Sequence, residues 1–325
     1  MKLDAKKIEK LISEASNVII MAHKNLDLDA LGSSLGMYYL SKKIGKNTFL
    51  LIEEEKSEKG VSRSLLELNK RDLKVNVKKL KELKLIIDQN TLLIVLDVHI
   101  PNITQNSAIF KMVNKVIVID HHIKDKDGIN DAEYLYIADM QSSTSEVVVE
   151  LLKELDIYIP SYIATIMLAG IVVDTNRFSI KTSYLTYDAA SYLSQQGAET
   201  KELQYLLKEN LERYIKRQEI ISKIEIINNS FAVGIGKSEI IYYKEDIAKV
   251  SDTMLLLNNI EAAFTIAKID DNTIGISARS LGNVDVQKIM EKLNGGGHKT
   301  DAATQINNIS ILDGKNKLLE IIKNL

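Results

Sequence analysis

Two short segments constrain this chain more than anything else in it: TLLIVLDVH at residues 91–99 and KVIVIDHH at residues 115–122. Each is an apolar run of strand length that stops abruptly at aspartate and histidine. An amphipathic helix or a half-exposed strand would interrupt such a run with polar residues. A parallel strand covered by helices on both faces would not. NVIIMA at 17–22, NTFLLI at 47–52 and YLYIAD at 134–139 have the same character. Helix-length stretches separate these runs, so the fold class is α/β, with a mostly parallel sheet and flanking helices.

The first strand leads into AHKNLDLDALGSSLG, residues 22–36, which places His23, Asp27 and Asp29 on a strand-to-helix loop. Ligands of open α/β sheets bind at that edge. The helix that follows stops at Gly45. Downstream, Pro160 and Ser161 open a helix through YIATIMLAGIVV, and Ser183 and Gly197 bound another. A long charged helical stretch, KELQYLLKENLERYIKRQEIISKIEII, comes next. Near residue 228 the pattern turns to short alternating strands, NNSFAVGIG, EIIYY, AAFTIAKID and NTIGISARS, with helices expected at 245–258 and 284–293. The expected organisation is a first domain over 1–227 and a smaller α+β domain over 228–325, with the active site in the cleft between them.

Bulk properties narrow the function. A length of 325 residues accommodates two domains, and no apolar run approaches the ~20 residues of a membrane-spanning helix. The start of the chain, MKLDAKKIEKLISEAS, reads as an amphipathic helix with acidic residues, unlike a signal peptide. The absence of cysteine removes disulfides, thiolate ligands and thiol nucleophiles, and fits a cytoplasmic setting. A net charge of −2 argues against long nucleic acid as a partner, because phosphate neutralisation needs a basic excess. A small anionic substrate at a local site fits better.

The chain has five histidines, His23, His99, His121, His122 and His298. Four of them fall at strand ends or in loops beside aspartates. A lone aspartate after a strand is ordinarily a helix cap or turn former, and a lone histidine ordinarily a hydrogen-bonded filler. Here several strand ends on one sheet edge each present carboxylate or imidazole, without nearby Lys or Arg to pair them. Converging carboxylates resist ionisation unless something positive lies between them, and a divalent metal is the natural complement. The candidate ligands are His23, Asp27, Asp29, Asp97, His121 and Asp174. That donor set, carboxylate-rich and without sulfur, points to Mn²⁺ among several divalent ions. Six ligands exceed one ion's need, so two ions about 3.5–4 Å apart are expected, activating water for attack on a phosphoryl group.

These residues resemble the motifs of the DHH phosphoesterase superfamily: HKNLDLDA, the strand-end Asp97, DHH at 120–122 and VVDT ending in Asp174 and Thr175. The resemblance implies that His23, Asp27 and Asp97 hold one Mn²⁺. Asp29, Asp97, His121 and Asp174 would hold the other, with Asp97 bridging. It further implies that Asp120 orients ligands and that His122 faces the substrate phosphate. Many members have proline before the first aspartate of the opening motif, where this chain has Leu26.

The second domain carries GISARSLGNVDVQKIMEKLNGGGHKTDAATQI, residues 275–306. Gly295, Gly296 and Gly297 let backbone amides approach an anion, although a flexible loop after a helix is the plainer reading. Arg279 with GGGH resembles the signature of the DHH-associated C-terminal domain, which binds the nucleotide part of the substrate. By that resemblance Arg279 grips a phosphate bidentately, the glycines seat phosphate or base, and His298 bonds a non-bridging oxygen, with Ser277 beside them.

Within the superfamily, SSTSEVVVELL at 142–152, residues 168–200 and DVH at 97–99 are most similar to the cyclic-di-AMP phosphodiesterase group. The best-known members of that group carry membrane and sensory regions ahead of the same catalytic pair. The chain is then a free-standing version or an excised catalytic part. The implied reaction is Mn²⁺-dependent opening of cyclic di-AMP to linear pApA, with further cleavage to AMP left open. The alternative is a nanoRNase/pAp phosphatase acting on short linear substrates. Asp97, His122 and Arg279 are the residues expected to carry catalysis, and a homodimer is expected by analogy.

Overall fold

Strand alternation explains the two layers of the first unit. In a computed structural model describing residues 3–53 and 58–323, the chain divides into two compact units, 1–208 and 209–325. The first contains α1 Ala5–Glu14, β1 Asn17–Met21, α2 Leu28–Lys43, β2 Asn47–Leu51, α3 Lys59–Lys70, β3 Val77–Lys78, α4 Leu80–Leu83, β4 Leu92–Leu96, β5 Lys115–Asp120, β6 Tyr134–Ile137, α5 Thr144–Glu154, α6 Ser161–Asp174, α7 Tyr184–Gln195 and α8 Thr200–Leu206. Its sheet runs β3-β2-β1-β4-β5-β6, every pairing parallel. Val18, Ile20, Ile94 and Ile117 face a core formed with α2, α5 and α6, while Ile19, Val95 and Val118 face a second core on the other side. The unbroken apolar runs are therefore strands buried on both faces.

The order of strands positions the site. From β1 the chain winds outward through β2 and β3, then returns to place β4 on β1's other side. The loops after β1 and β4 leave in opposite directions, and this switch point opens a crevice at the carboxyl edge. Helix α6, apolar all round and buried from Tyr162 to Val172, packs closely on α2. A Cβ on Gly170 would lie 2.7 Å from Asp29 Cα, so only glycine permits the approach.

The second unit contains α9 Leu211–Ile221, β7 Glu225–Ile227, β8 Phe231–Ile235, α10 Lys244–Met254, β9 Ala262–Lys268, β10 Thr273–Ser280, α11 Val286–Glu291, β11 Gly296–Gly297, β12 Asp301–Asn307 and α12 Ile311–Ile322. Its sheet order is β11-β12-β10-β9-β8-β7, with only the β8–β9 pairing parallel.

Three local expectations change. The charged stretch after Thr200 is not one helix. Arg63 Nη1 donates to the carbonyls of Tyr205, Leu206 and Lys208, which ends α8, and the Asn210 side chain accepts from Arg213 N at 3.0 Å, which starts α9. EIIYY at 239–243 is not a strand. Strand β8 already occupies that edge of β9, and the segment's bond to β9 is that from Tyr242 N to Lys268 O at 2.8 Å. Its alternation reflects Tyr242 buried from a loop. The glycine segment after α11 is an ordered hairpin rather than a flexible loop, with Gly296 and Gly297 opposite Ala303 and Ala302.

Candidate functional site

Each ligand candidate is placed by a local rule. Asp27 caps α2, accepting from Ala30 N at 2.9 Å. Asp29 lies in the first turn of α2 and is fully buried, its two oxygens accepting the Thr144 and Ser145 amides at 2.7 and 2.8 Å. Those amides open α5, so the N-terminus of that helix holds the carboxylate. Asp97 ends β4 with φ of +60°, a strained conformation for aspartate, and accepts from Thr144 Oγ1 at 2.9 Å. Asp174 closes α6.

The two inner histidines are oriented alike. His23 Nδ1 lies 2.5 Å from the Lys24 carbonyl, and His121 Nδ1 lies 3.4 Å from that of Gln141. Each ring thus turns Nε2 toward the carboxylates. His23 Nε2 is 3.3 Å from Asp97 and 3.6 Å from Asp27. His121 Nε2 is 3.2 Å from Asp174 and 3.5 Å from Asp97, yet it is buried without a hydrogen bond. Among the described residues, donor atoms within 4.8 Å of one another form three overlapping groups: His23, Asp27 and Asp97; Asp29, His121 and Asp174; and Asp97, His121 and His122.

Behind the cluster, fully buried Asp120 receives His122 N at 3.1 Å and pairs with His122 Nδ1 at 2.7 Å and His99 Nδ1 at 2.5 Å. His99 Nε2 accepts the Asp125 amide at 2.8 Å, so its proton is on Nδ1. Burial disfavours an ionised Asp120, but His122 and His99 outweigh it and hold the carboxyl well below its usual range. Burial also opposes a charged His122, but Asp120, then the charge of Asp97, raises it to about 9.

The carboxylates of the cluster outnumber the cations beside them. Burial, then the Asp29 charge, pushes Asp97 up to about 7. Asp174 rises well above the carboxylate range through burial and then Asp29 and Asp27. Asp29 rises through burial. Asp27 goes down, since its contact with His23 outweighs the cost of burial. Burial would neutralise His23, but Asp27 and Asp97 raise it to about 11. Among the described residues no Lys or Arg forms an ion pair with these four carboxylates. An orphaned imidazole nitrogen, imidazoles oriented through Nδ1 and oxygen-rich donors fit divalent metal ions.

The substrate-binding candidates of the second unit form a different corner. Arg279 Nε donates to Asp252 at 2.8 Å, and Nη1 donates to Asp301 at 2.5 Å and to the Ala278 carbonyl at 3.1 Å. Only Nη2 lacks a partner among the described residues, so a bidentate grip requires one carboxylate to let go. Ser277 is buried, with Oγ 3.4 Å from Arg279 Nη1. Gly295 N donates to Met290 O of α11 at 2.8 Å and His298 N to Asp301 O at 2.6 Å, so the first amide is committed to the helix end and the second within the hairpin. Gly297, at φ +142°, would place a Cβ 2.4 Å from Ala302 Cα, whereas a Cβ on Gly296 would meet nothing within 4 Å. Exposed His298 stands at the hairpin tip.

Sequence reasoning named His99 without a role and passed over Thr144, Asp252 and Asp301. Thr144 sits in SSTSE, readable as a helix start through a Ser143–Glu146 capping box. Ser143 Oγ does accept Glu146 N at 3.1 Å, but the Glu146 carboxylate turns to Ser142.

Comparison with known proteins agrees with this geometry. Residues 17–171 match the DHH family N-terminal domain, and residues 228–325 match the DHHA1 domain. Cyclic-di-AMP phosphodiesterase GdpP of Geobacillus thermodenitrificans (strain NG80-2) is 39% identical over 322 residues, 97% of this chain and 48% of that protein. The chain spans about half the length of the curated relatives it matches first. Among solved structures, an exopolyphosphatase-related protein from Bacteroides fragilis has a TM-score of 0.79 at 19% identity, covering 98% of this chain and 96% of the other. RecJ of Thermus thermophilus in complex with Mn²⁺ has a TM-score of 0.56 at 14% identity, covering 100% of this chain and 55% of RecJ. Both are likenesses of fold.

Proposed function

The chain belongs to the DHH family, joining a DHH N-terminal domain to a DHHA1 domain, and from that premise we propose that it is a Mn²⁺-dependent phosphodiesterase opening cyclic di-AMP to linear pApA. The observation that carries the chemistry is the cluster of four buried or half-buried carboxylates and two imidazoles, with which no lysine or arginine among the described residues forms an ion pair. The substrate rests on the relatives named cyclic-di-AMP phosphodiesterase, 34–39% identical over 97% of this chain.

His23, Asp27 and Asp97 would hold one ion, and Asp29, Asp97, His121 and Asp174 a second. Such ions, when bound, supply an activated water and neutralise phosphoryl oxygens. The chain's own residues do the rest. Thr144 Oγ1 and the first amides of α5 fix Asp97 and Asp29, so the donors need little rearrangement. His122, locked through Nδ1 on Asp120, offers Nε2 as a donor to a phosphoryl oxygen. In the reaction a water oxygen bonds to phosphorus, the P–O3′ bond breaks, and the departing oxygen takes a proton.

Chromatography of parallel incubations with cyclic di-AMP, pApA and pAp in Mn²⁺ tests the proposal. Loss of the cyclic compound with pApA appearing is the expected result. If it stays intact while pApA and pAp fall to AMP, the substrate assignment is wrong.

A further inference from the structure

Immediately after Asp174 the backbone enters a conformation that L-residues avoid. Asn176, Arg177 and Phe178 take φ of +43°, +59° and +62°, and Lys181 takes +46°. None is glycine, so each sets its Cβ against the following carbonyl. Consecutive residues of this kind persist only where the surroundings over-determine them.

The surroundings here do so. Buried Thr175 donates through Oγ1 to Ile171 O at 2.6 Å and accepts Phe178 N at 3.0 Å. Arg177 N donates to Val172 O at 2.8 Å, and Ser179 N donates to Thr175 O at 2.8 Å. Phe178 packs on the core and stacks on Tyr187, with ring centroids 5.6 Å apart at 17°. The turn is therefore bolted to the end of α6, the helix that delivers Asp174.

What the strained turn presents is two cations. Arg177 and Lys181 are exposed, and neither has an ion-pair partner within 4.0 Å among the described residues. The other arginines of the first unit are engaged, Arg63 on carbonyls and Arg71 on Glu202. Arg177 follows Asp174 by three residues and Lys181 by seven. An exposed arginine without a partner gives the fold no return for left-handed strain, and asparagine or glycine would make the same turn with less.

We propose that the turn 176–181 is a phosphate-receiving rim, on which Arg177 and Lys181 bind a phosphate of the substrate other than the one being hydrolysed. This rests on the reading of the chain as a dinucleotide phosphodiesterase. A dinucleotide carries a second phosphate, and the clustered ligands serve one. Cations on a rigid turn beside Asp174 hold the other at a set distance, with the guanidinium fork giving orientation and the ammonium giving charge. The two residues are specificity determinants and leave the bond-breaking step alone.

The test is steady-state kinetics in Mn²⁺ of the full chain and of Arg177→Ala, Arg177→Lys, Lys181→Ala and the double alanine variant. The substrates are cyclic di-AMP, pApA and bis(4-nitrophenyl) phosphate, which has a single phosphate. Each single alanine is expected to raise KM for the dinucleotides about tenfold, with kcat changed less than about twofold. The double variant should raise it further, Arg177→Lys should recover part of the loss, and bis(4-nitrophenyl) phosphate should be cleaved as by the unaltered protein. An equal loss on the single-phosphate substrate would overturn the proposal, as would an unchanged dinucleotide KM. An unaltered protein that cleaves bis(4-nitrophenyl) phosphate but neither dinucleotide overturns the substrate reading and this proposal together.

Discussion

Two corners of this molecule are built from similar parts and end in opposite electrostatic states. At the parallel-sheet edge, Asp27, Asp29, Asp97 and Asp174 gather around His23 and His121 with no arginine or lysine among them. In the second unit, Asp252 and Asp301 close on Arg279, so the charges there are already opposed. One corner holds more carboxylates than the imidazoles beside them can offset, and the other has spent its positive charge on ion pairs. The first is therefore suited to taking up cations, and the second receives an anion only in exchange for a carboxylate it already holds. Burial alone does not mark a binding site; what matters is which charge the fold leaves uncompensated.

The hardest way to break this comparison is Asp97→Asn, since Asp97 belongs to two of the donor groups. Turnover in Mn²⁺ should fall by at least about 10²–10³-fold. The metal-free variant should nonetheless melt roughly 2–4 °C higher, because a carboxyl held near 7 by burial and its neighbours no longer has to ionise. A variant that kept its activity would remove the cluster from the reaction.

A second test follows the metal-free protein through pH. The folded Asp97 carboxyl, at about 7, binds its proton more tightly than an unfolded aspartate does, so stability falls as pH rises from about 4 to 7. His23, raised to about 11 when folded, contributes stability that is full below its unfolded value and declines as pH climbs from about 6.5 toward 11. Both slopes have the same sign, so chelator-treated protein should melt lower at pH 8 than at pH 5. Mn²⁺ should reverse the trend, because its ligands bind deprotonated. Melting curves independent of metal at pH 8 would contradict the missing-cation account.

The smallest effects sharpen the other corner. Arg279→Ala should raise the KM for cyclic di-AMP about tenfold. Asp301→Asn should lower it by only about two- to fivefold, since Asp301 is 58% exposed along its side chain and its pair with Arg279 is screened by solvent. If KM rises instead, Asp301 orients the guanidinium rather than competing with the phosphate.

Much of the first corner was legible before any coordinates. The runs around Val95 and Val118 announced strands covered on both faces, and a strand's last residues lie at the sheet edge whatever surrounds them, so Asp97 and His121 were found from position alone. The DHH and GGGH segments added family likeness. The second corner was less legible because the partners of Arg279 lie 27 and 22 residues away, on α10 and β12. EIIYY misled for a related reason: alternation records which residues are buried, not whether a sheet edge is free to pair.

From sequence alone came the α/β class, the two-part organisation and the identity of the clustered carboxylates and imidazoles. All rest on local patterns, namely apolar periodicity, strand ends and short motifs, that hold wherever the segment goes. Tertiary structure decided which nitrogen each histidine turns to the carboxylates, that Thr144 and the start of α5 clamp Asp97 and Asp29, that Arg279 is already paired, and that the chain after Asp174 is held left-handed. Each of these depends on a hydrogen bond, a close approach or a charge supplied by residues remote in sequence or by a turn's exact packing, and such energies exist only once the chain has brought the partners together.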